Sequence, residues 1–198
     1  ASEEIANKVV AEVTKNSTDD KLALSAKVMK SIIDIGPDKI EILSDENKDI
    51  IIAKTIEATT KQAESDLDDG DIDLSTIVSK IVMNSKEDIA VKVLETLNDQ
   101  AKESDSNVSL KVFVNLAKEE NFEDKLENIS KQSSISENTV KEMISKSIDD
   151  INDKNDLRLI VDIVKENGDF LTDKIIEINK NSDGSNNLKI DQIIDEII

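Results

Sequence analysis

The chain has 198 residues, a formal net charge of −19, and no His, Cys, Trp or Tyr. Zinc, haem and iron–sulfur sites lose their usual ligands, thiol and imidazole catalysis are excluded, and no disulfide framework exists. The negative field, with Arg158 as the single arginine, argues against nucleic acid and against an anionic membrane surface.

Charged residues make up 35% of the chain, a level that raises the question of disorder. The apolar residues answer it, because they are mostly Ile, Val and Leu and recur at helical spacing. One Pro and four Gly leave few helix breakers. No apolar run approaches the roughly 20 residues of a membrane span, so no membrane insertion is expected. No signal-peptide pattern opens the sequence, and Ala-Ser-Glu-Glu fits a processed terminus or loss of the initiator Met. The missing Cys and low aromatic content lean localisation toward the secreted or cell-surface side.

In chain order, Ile5, Val9, Val10 and Val13 form a first helical stripe that stops at Asn16-Ser17. Ser17 reads as an N-cap, and Leu22, Ala26, Met29 and Ile32 carry the next helix to Gly36-Pro37. A short helix over 38–43 precedes a longer one from about Asp45 to Gln62. The stretch Leu74–Leu97 is the clearest unit. Ile77, Val78, Ile81 and Val82 share one face, Asn84-Ser85 breaks the pattern, and Ile89, Val93, Leu94 and Leu97 restart it. Ser85, with Asp88 three residues on, predicts a capping-box start for the second helix. Further stripes follow at Val108–Leu116, Phe122–Ile129, Val140–Ile148, Leu157–Val164, Phe170–Ile178 and Leu188–Ile197.

Paired, these stripes make about six helix–turn–helix hairpins, approximately 3–36, 37–64, 73–104, 107–133, 136–167 and 169–198, in one all-α repeat domain. Their first helices open about 31 to 35 residues apart, the range of helical-hairpin repeats. An α-solenoid-like array is the expected architecture and an irregular multi-helix bundle the alternative. The tetratricopeptide repeat has a similar length, but its Trp, Tyr and Pro signature is missing here.

Two loops carry calcium-type chemistry. Asp66, Asp68, Asp69, Asp71 and Asp73 surround Gly70, although Leu67 and Thr76 stand where carboxylates belong in a calcium loop. Asn179, Asn181 and Asp183 take the first, third and fifth positions of a second loop, with Gly184 at the sixth and Ile190 in place of the closing Glu. Solvated Asp/Asn/Gly turns explain both equally well. Asp149-Asp150 and Glu119-Glu120 read as solvated faces, so no catalytic residue, no committed metal site and no cofactor are expected.

The expected function is a non-enzymatic scaffold or assembly subunit that binds protein, further copies of itself included. A calcium-responsive acidic module is the alternative. Interface candidates are Ile5 and Val9 at one end, and Ile190, Ile194, Ile197 and Ile198 at the other, where the apolar stripe runs to the last residue without a Gly or Lys cap. Such ends suit a neighbouring copy head to tail or further repeats of a longer chain.

Overall fold

The computed structural model describes residues 3–16, 18–64, 73–181 and 187–197. Helices account for 84% of them and no strand occurs among them. The order is α1 (Glu3–Val13), α2 (Asp19–Ile35), a 3₁₀ segment (Pro37–Ile42), α3 (Asp45–Ala63), α4 (Leu74–Asn84) and α5 (Glu87–Lys102). Then come α6 (Val108–Leu116), α7 (Phe122–Ser130), α8 (Ser134–Asp149), α9 (Lys154–Asn167), α10 (Asp169–Asn181) and α11 (Asn187–Ile197).

The apolar stripes become the core. Helix α4 is buried on most of its circumference, with Leu74, Ile77, Val78, Ile81 and Val82 inside, because α2, α3, α5 and α6 all pack on it. Helix α5 buries Ile89, Val93, Leu94 and Leu97 as its spacing requires. One aliphatic cluster runs from Val10 to Ile193. Phe113 and Phe122 meet edge to face in it, with centroids 6.2 Å apart.

Neighbouring helices pack as a helical array, in a register that differs from the expected hairpins. Helix α6 packs on α4 and α8, and α7 packs on α8 and α5 rather than chiefly on α6. The turn before α7 passes through Asn121 in the left-handed conformation (φ 59°, ψ 27°), which Asn tolerates well. Many polar contacts between elements join residues 36 to 43 positions apart, such as Lys92 with Asp49, Asn98 with Thr139, and Lys141 with Glu177. This is longer than the 31 to 35 expected, because helices pack on the second or third element along as well as on the next.

The expected joints also shift. Ser85 is the last residue of its turn, not the cap of α5: Lys86 holds the N-cap position and makes no side-chain cap bond. The Ser85 hydroxyl is buried without a hydrogen-bond partner, while its carbonyl accepts from Lys125 Nζ at 2.6 Å. Ser17 lies outside the described residues, and Thr18 holds the N-cap position of α2 without a side-chain bond. Side-chain caps occur instead at Ser44, Asp73, Ser133 and Asp153.

Other helix ends are closed from a distance. Asn7 Oδ1 accepts from the Ser44 N–H at the start of α3 (2.7 Å), Asp150 Oδ2 from Leu110 N–H in the first turn of α6 (3.1 Å), and Glu123 Oε1 from Leu171 N–H in α10 (3.2 Å). Gly168, at φ 91°, lets Glu123 approach; a Cβ there would lie 3.0 Å from Glu123 Oε2.

Two substitutions test this assignment in chemical denaturation. Val78→Asp places a carboxylate where the side chain is fully buried and is expected to cost on the order of 4 kcal/mol or more. Ser85→Ala removes a buried hydroxyl that has no partner and should change stability by less than about 0.5 kcal/mol, against about 1 kcal/mol for loss of a real N-cap. A clear loss on Ser85→Ala would mean that the hydroxyl caps α5 after all.

Candidate functional site

The sequence-derived candidates fall in three places. Asp66, Asp68, Asp69, Asp71, Asp183 and Ile198 lie outside the described residues. Asp73 caps α4: its Oδ1 accepts from Ser75 N–H (3.0 Å) and Ser75 Oγ (2.6 Å), and its Oδ2 from Asn115 Nδ2 (3.2 Å). Burial works against its charge, but these bonds and the nearby Lys111 outweigh it and hold the pKa below the usual aspartate value. Asn179 Nδ2 donates to Asp191 Oδ1 at 3.2 Å, and Asn181 is exposed. Among the described residues no group of three carboxylates is gathered to hold a metal ion.

The end candidates divide. Ile5 and Val9 are 54% and 43% exposed on α1, whereas Val10 and Val13 turn inward. Ile190 is buried in the chain's own core and is closed to any partner. Ile194 and Ile197 are half-buried against that core. Leu188, missed in the sequence, is the exposed apolar residue of α11 at 75%.

A second site was not singled out in the sequence. An open groove of about 610 Å³ lies over α6, bounded by Gln62, Asp73, Lys111, Asn115, Lys118 and Leu159. A second, of about 330 Å³, lies between α2 and α4 and shares Asp73 with it. Their linings carry Lys30, Lys80, Lys111 and Lys118 against Asp34, Asp73 and Asp156. In a chain with 44 acidic and 25 basic residues, this is a local reversal of sign. All three carboxylates are engaged. Asp34 pairs with Lys30, Asp73 caps α4, and Asp156 Oδ2 accepts from Asn152 N–H at 3.1 Å. Lys80, Lys111 and Lys118 are exposed and have no carboxylate partner among the described residues. The signal was present in the sequence: the segments that form α4 and α6 contain no Asp or Glu at all.

The opposite case is the closed ring between α8 and α10. Lys141 reaches Glu177 at 2.6 Å and Glu137 at 3.2 Å, and Lys174 reaches Glu137 at 2.6 Å and Glu177 at 3.2 Å. Hydrogen bonds from Lys174 and Lys141 lower the Glu137 pKa, and those from Lys141 and Lys174 lower that of Glu177. The Glu177 bond raises the Lys141 pKa; burial opposes the charge of Lys174, but its two Glu partners raise it overall. Asp150 is the exception among carboxylates. Burial pushes its pKa up, although the Leu110 and Ser109 N–H groups it caps pull the other way.

No family model matches the chain, and neither a curated protein nor a solved structure matches it. No described helix is long and apolar enough to cross a membrane.

The ring has a defined pH signature. The lowered Glu pKa values contribute stability above the unfolded glutamate value and lose it as pH falls through the folded one; the raised Lys values contribute below the unfolded lysine value and lose it as pH rises through the folded one. Glu177→Gln should therefore lower the urea midpoint near neutral pH and lower it much less at about pH 3, where the parent has already lost the ring. An equal loss at both would show that the ring contributes nothing through its charges.

Proposed function

We propose that the chain is a non-enzymatic interaction or assembly subunit, a helical-repeat array of solenoid type that meets protein surfaces, including copies of itself, end on. The observation that carries this reading is the contrast between inner and outer helices. Helix α4 buries seven of its eleven residues, α1 only two of eleven. An inner helix of a stacked array is covered by neighbours on both sides, while a terminal one keeps a face for a partner. Here that face carries Ile5 and Val9 on α1, and Leu188 with half-buried Ile194 and Ile197 on α11. The cross-contacts at a spacing near 40 residues support a repeat.

Calcium response is the second reading. Of its candidates, Asp73, Asn179 and Asn181 are described, and both carboxylate oxygens of Asp73 already accept hydrogen bonds within the chain. A rise in melting temperature on calcium addition would favour it, since a ligand that binds only the folded state must stabilise that state.

The two faces that would meet head to tail are both acidic, with Glu3, Glu4 and Glu12 exposed on α1 and Asp191, Asp195 and Glu196 on α11. Apolar contact then works against like-charge repulsion, so self-association should strengthen with added salt over the range where the Debye length falls from about 10 Å to about 3 Å. Sedimentation at high protein concentration is expected to show this growth in the parent and to lose it in Val9→Lys and Leu188→Lys. A monomer at every salt concentration, in parent and variants alike, would remove the end-on contact.

A further inference from the structure

We infer that the lysine groove over α4 and α6 is a docking site for an acidic peptide segment of another protein, an inference that rests on the reading of the chain as a protein-binding array. The argument begins with what the groove lacks. Every other described helix carries at least one Asp or Glu, whereas α4 and α6 carry none and present Lys80 and Lys111 as their only charges. Lys118 follows α6 directly, donating to Asn115 Oδ1 at 2.8 Å and to no carboxylate among the described residues.

Elsewhere lysines are spent on the chain itself. Lys61 meets Asp19, Lys92 meets Asp49, Lys102 meets Glu142, and Lys125 meets Glu87, each across two elements. With so many carboxylates at hand, three exposed lysines side by side without a partner mark the place where an outside anion is best accommodated. The acids of the groove do not compete for that role, because each already holds a bond within the chain.

The shape favours an extended peptide. Lys111 and Lys118 are seven residues apart, about 10 Å along the direction of α6. Carboxylates three residues apart in an extended segment span about the same distance, at about 3.3 Å per residue. Half-buried Val114 lies between the two lysines, and Leu159, 40% exposed, borders them, so apolar side chains of the segment also find contact. Nucleic acid is the poorer fit. The face offers three free lysines, no arginine and no aromatic side chain on which a base could stack.

The test uses a fluorescein-labelled peptide of five Asp-Ser-Ser repeats and reads anisotropy against the intact chain. Saturable binding is expected, weakened about fivefold or more by each of Lys80→Glu, Lys111→Glu and Lys118→Glu, a loss of about 1 kcal/mol per contact as for other charge-assisted bonds. Lys131→Glu changes net charge equally but sits on the far side at the end of α7, paired with Glu127; it should leave binding within about twofold, since charges beyond a Debye length are screened. All four positions are exposed, and unchanged circular dichroism certifies each fold. No saturable binding, or an equal loss in Lys131→Glu, would overturn the groove. Tighter binding of a labelled single-stranded oligonucleotide with the same variant pattern would overturn the acidic-peptide assignment. The end-on contact is read separately by sedimentation: a chain that stays monomeric yet binds the peptide keeps the groove, and one that associates without binding the peptide loses it.

Discussion

Five helix ends in this chain are closed by side chains that arrive from 37 to 48 residues away. Asn7, Asp150 and Glu123 accept from backbone N–H groups at the starts of α3, α6 and α10; Lys125 and Lys189 donate to carbonyls at the ends of α4 and α8. A helix leaves its first N–H and last C=O groups without internal partners, and a buried one left unpaired costs about as much as a hydrogen bond lost. In a stacked array those ends are pressed against the next layer, where water does not reach them easily. The partners must therefore come from the chain, and from the layer that does the pressing. Aliphatic packing is tolerant of sliding by a fraction of a turn, while a carboxylate aimed at one N–H is not. These bonds fix the register that the Ile, Val and Leu core leaves loose.

That division explains which parts of the fold were legible in the sequence. Helix positions were, because a stripe such as Ile77, Val78, Ile81, Val82 reports its own burial whatever it packs against. Caps were legible only where the side chain bonds its own helix, as at Ser44. Ser85 looked like such a cap by residue type and by its spacing to Asp88, yet the turn needs one residue more, and the hydroxyl falls inside. Partner choice was not legible. The separation of Asp150 from Leu110 or Glu123 from Leu171 leaves no local trace, since each acid resembles dozens of solvated ones. The hairpin reading failed for the same reason: short helices look paired with their nearest neighbour, while α6 in fact rests on α4 and α8.

The candidate sites were legible in unequal measure. Exposure of Ile5 and Val9 followed from an apolar face with nothing before it to cover it, and Ile190 was misplaced because an amphipathic end helix hides its stripe on its own neighbour. The lysine groove was readable from charge alone, had each helix been scored for sign rather than the chain for its total. Net charge averages over distances that electrostatics in salt water does not.

The same point answers the main objection to an acidic ligand on a protein of charge −19. At physiological ionic strength the Debye length is about 8 Å, so carboxylates on α8, α10 or α11 contribute little to the potential over α6. Within that distance the sign is set by Lys80, Lys111 and Lys118, because Asp34, Asp73 and Asp156 have their oxygens turned to partners of their own. Distant repulsion acts on the rate of encounter, and the local lysines act on how long a bound segment stays. A lysine face surrounded by acid is then selective in a way that a uniformly basic surface is not. A short acidic stretch fits within it, whereas a long polyanion must extend onto ground that repels it.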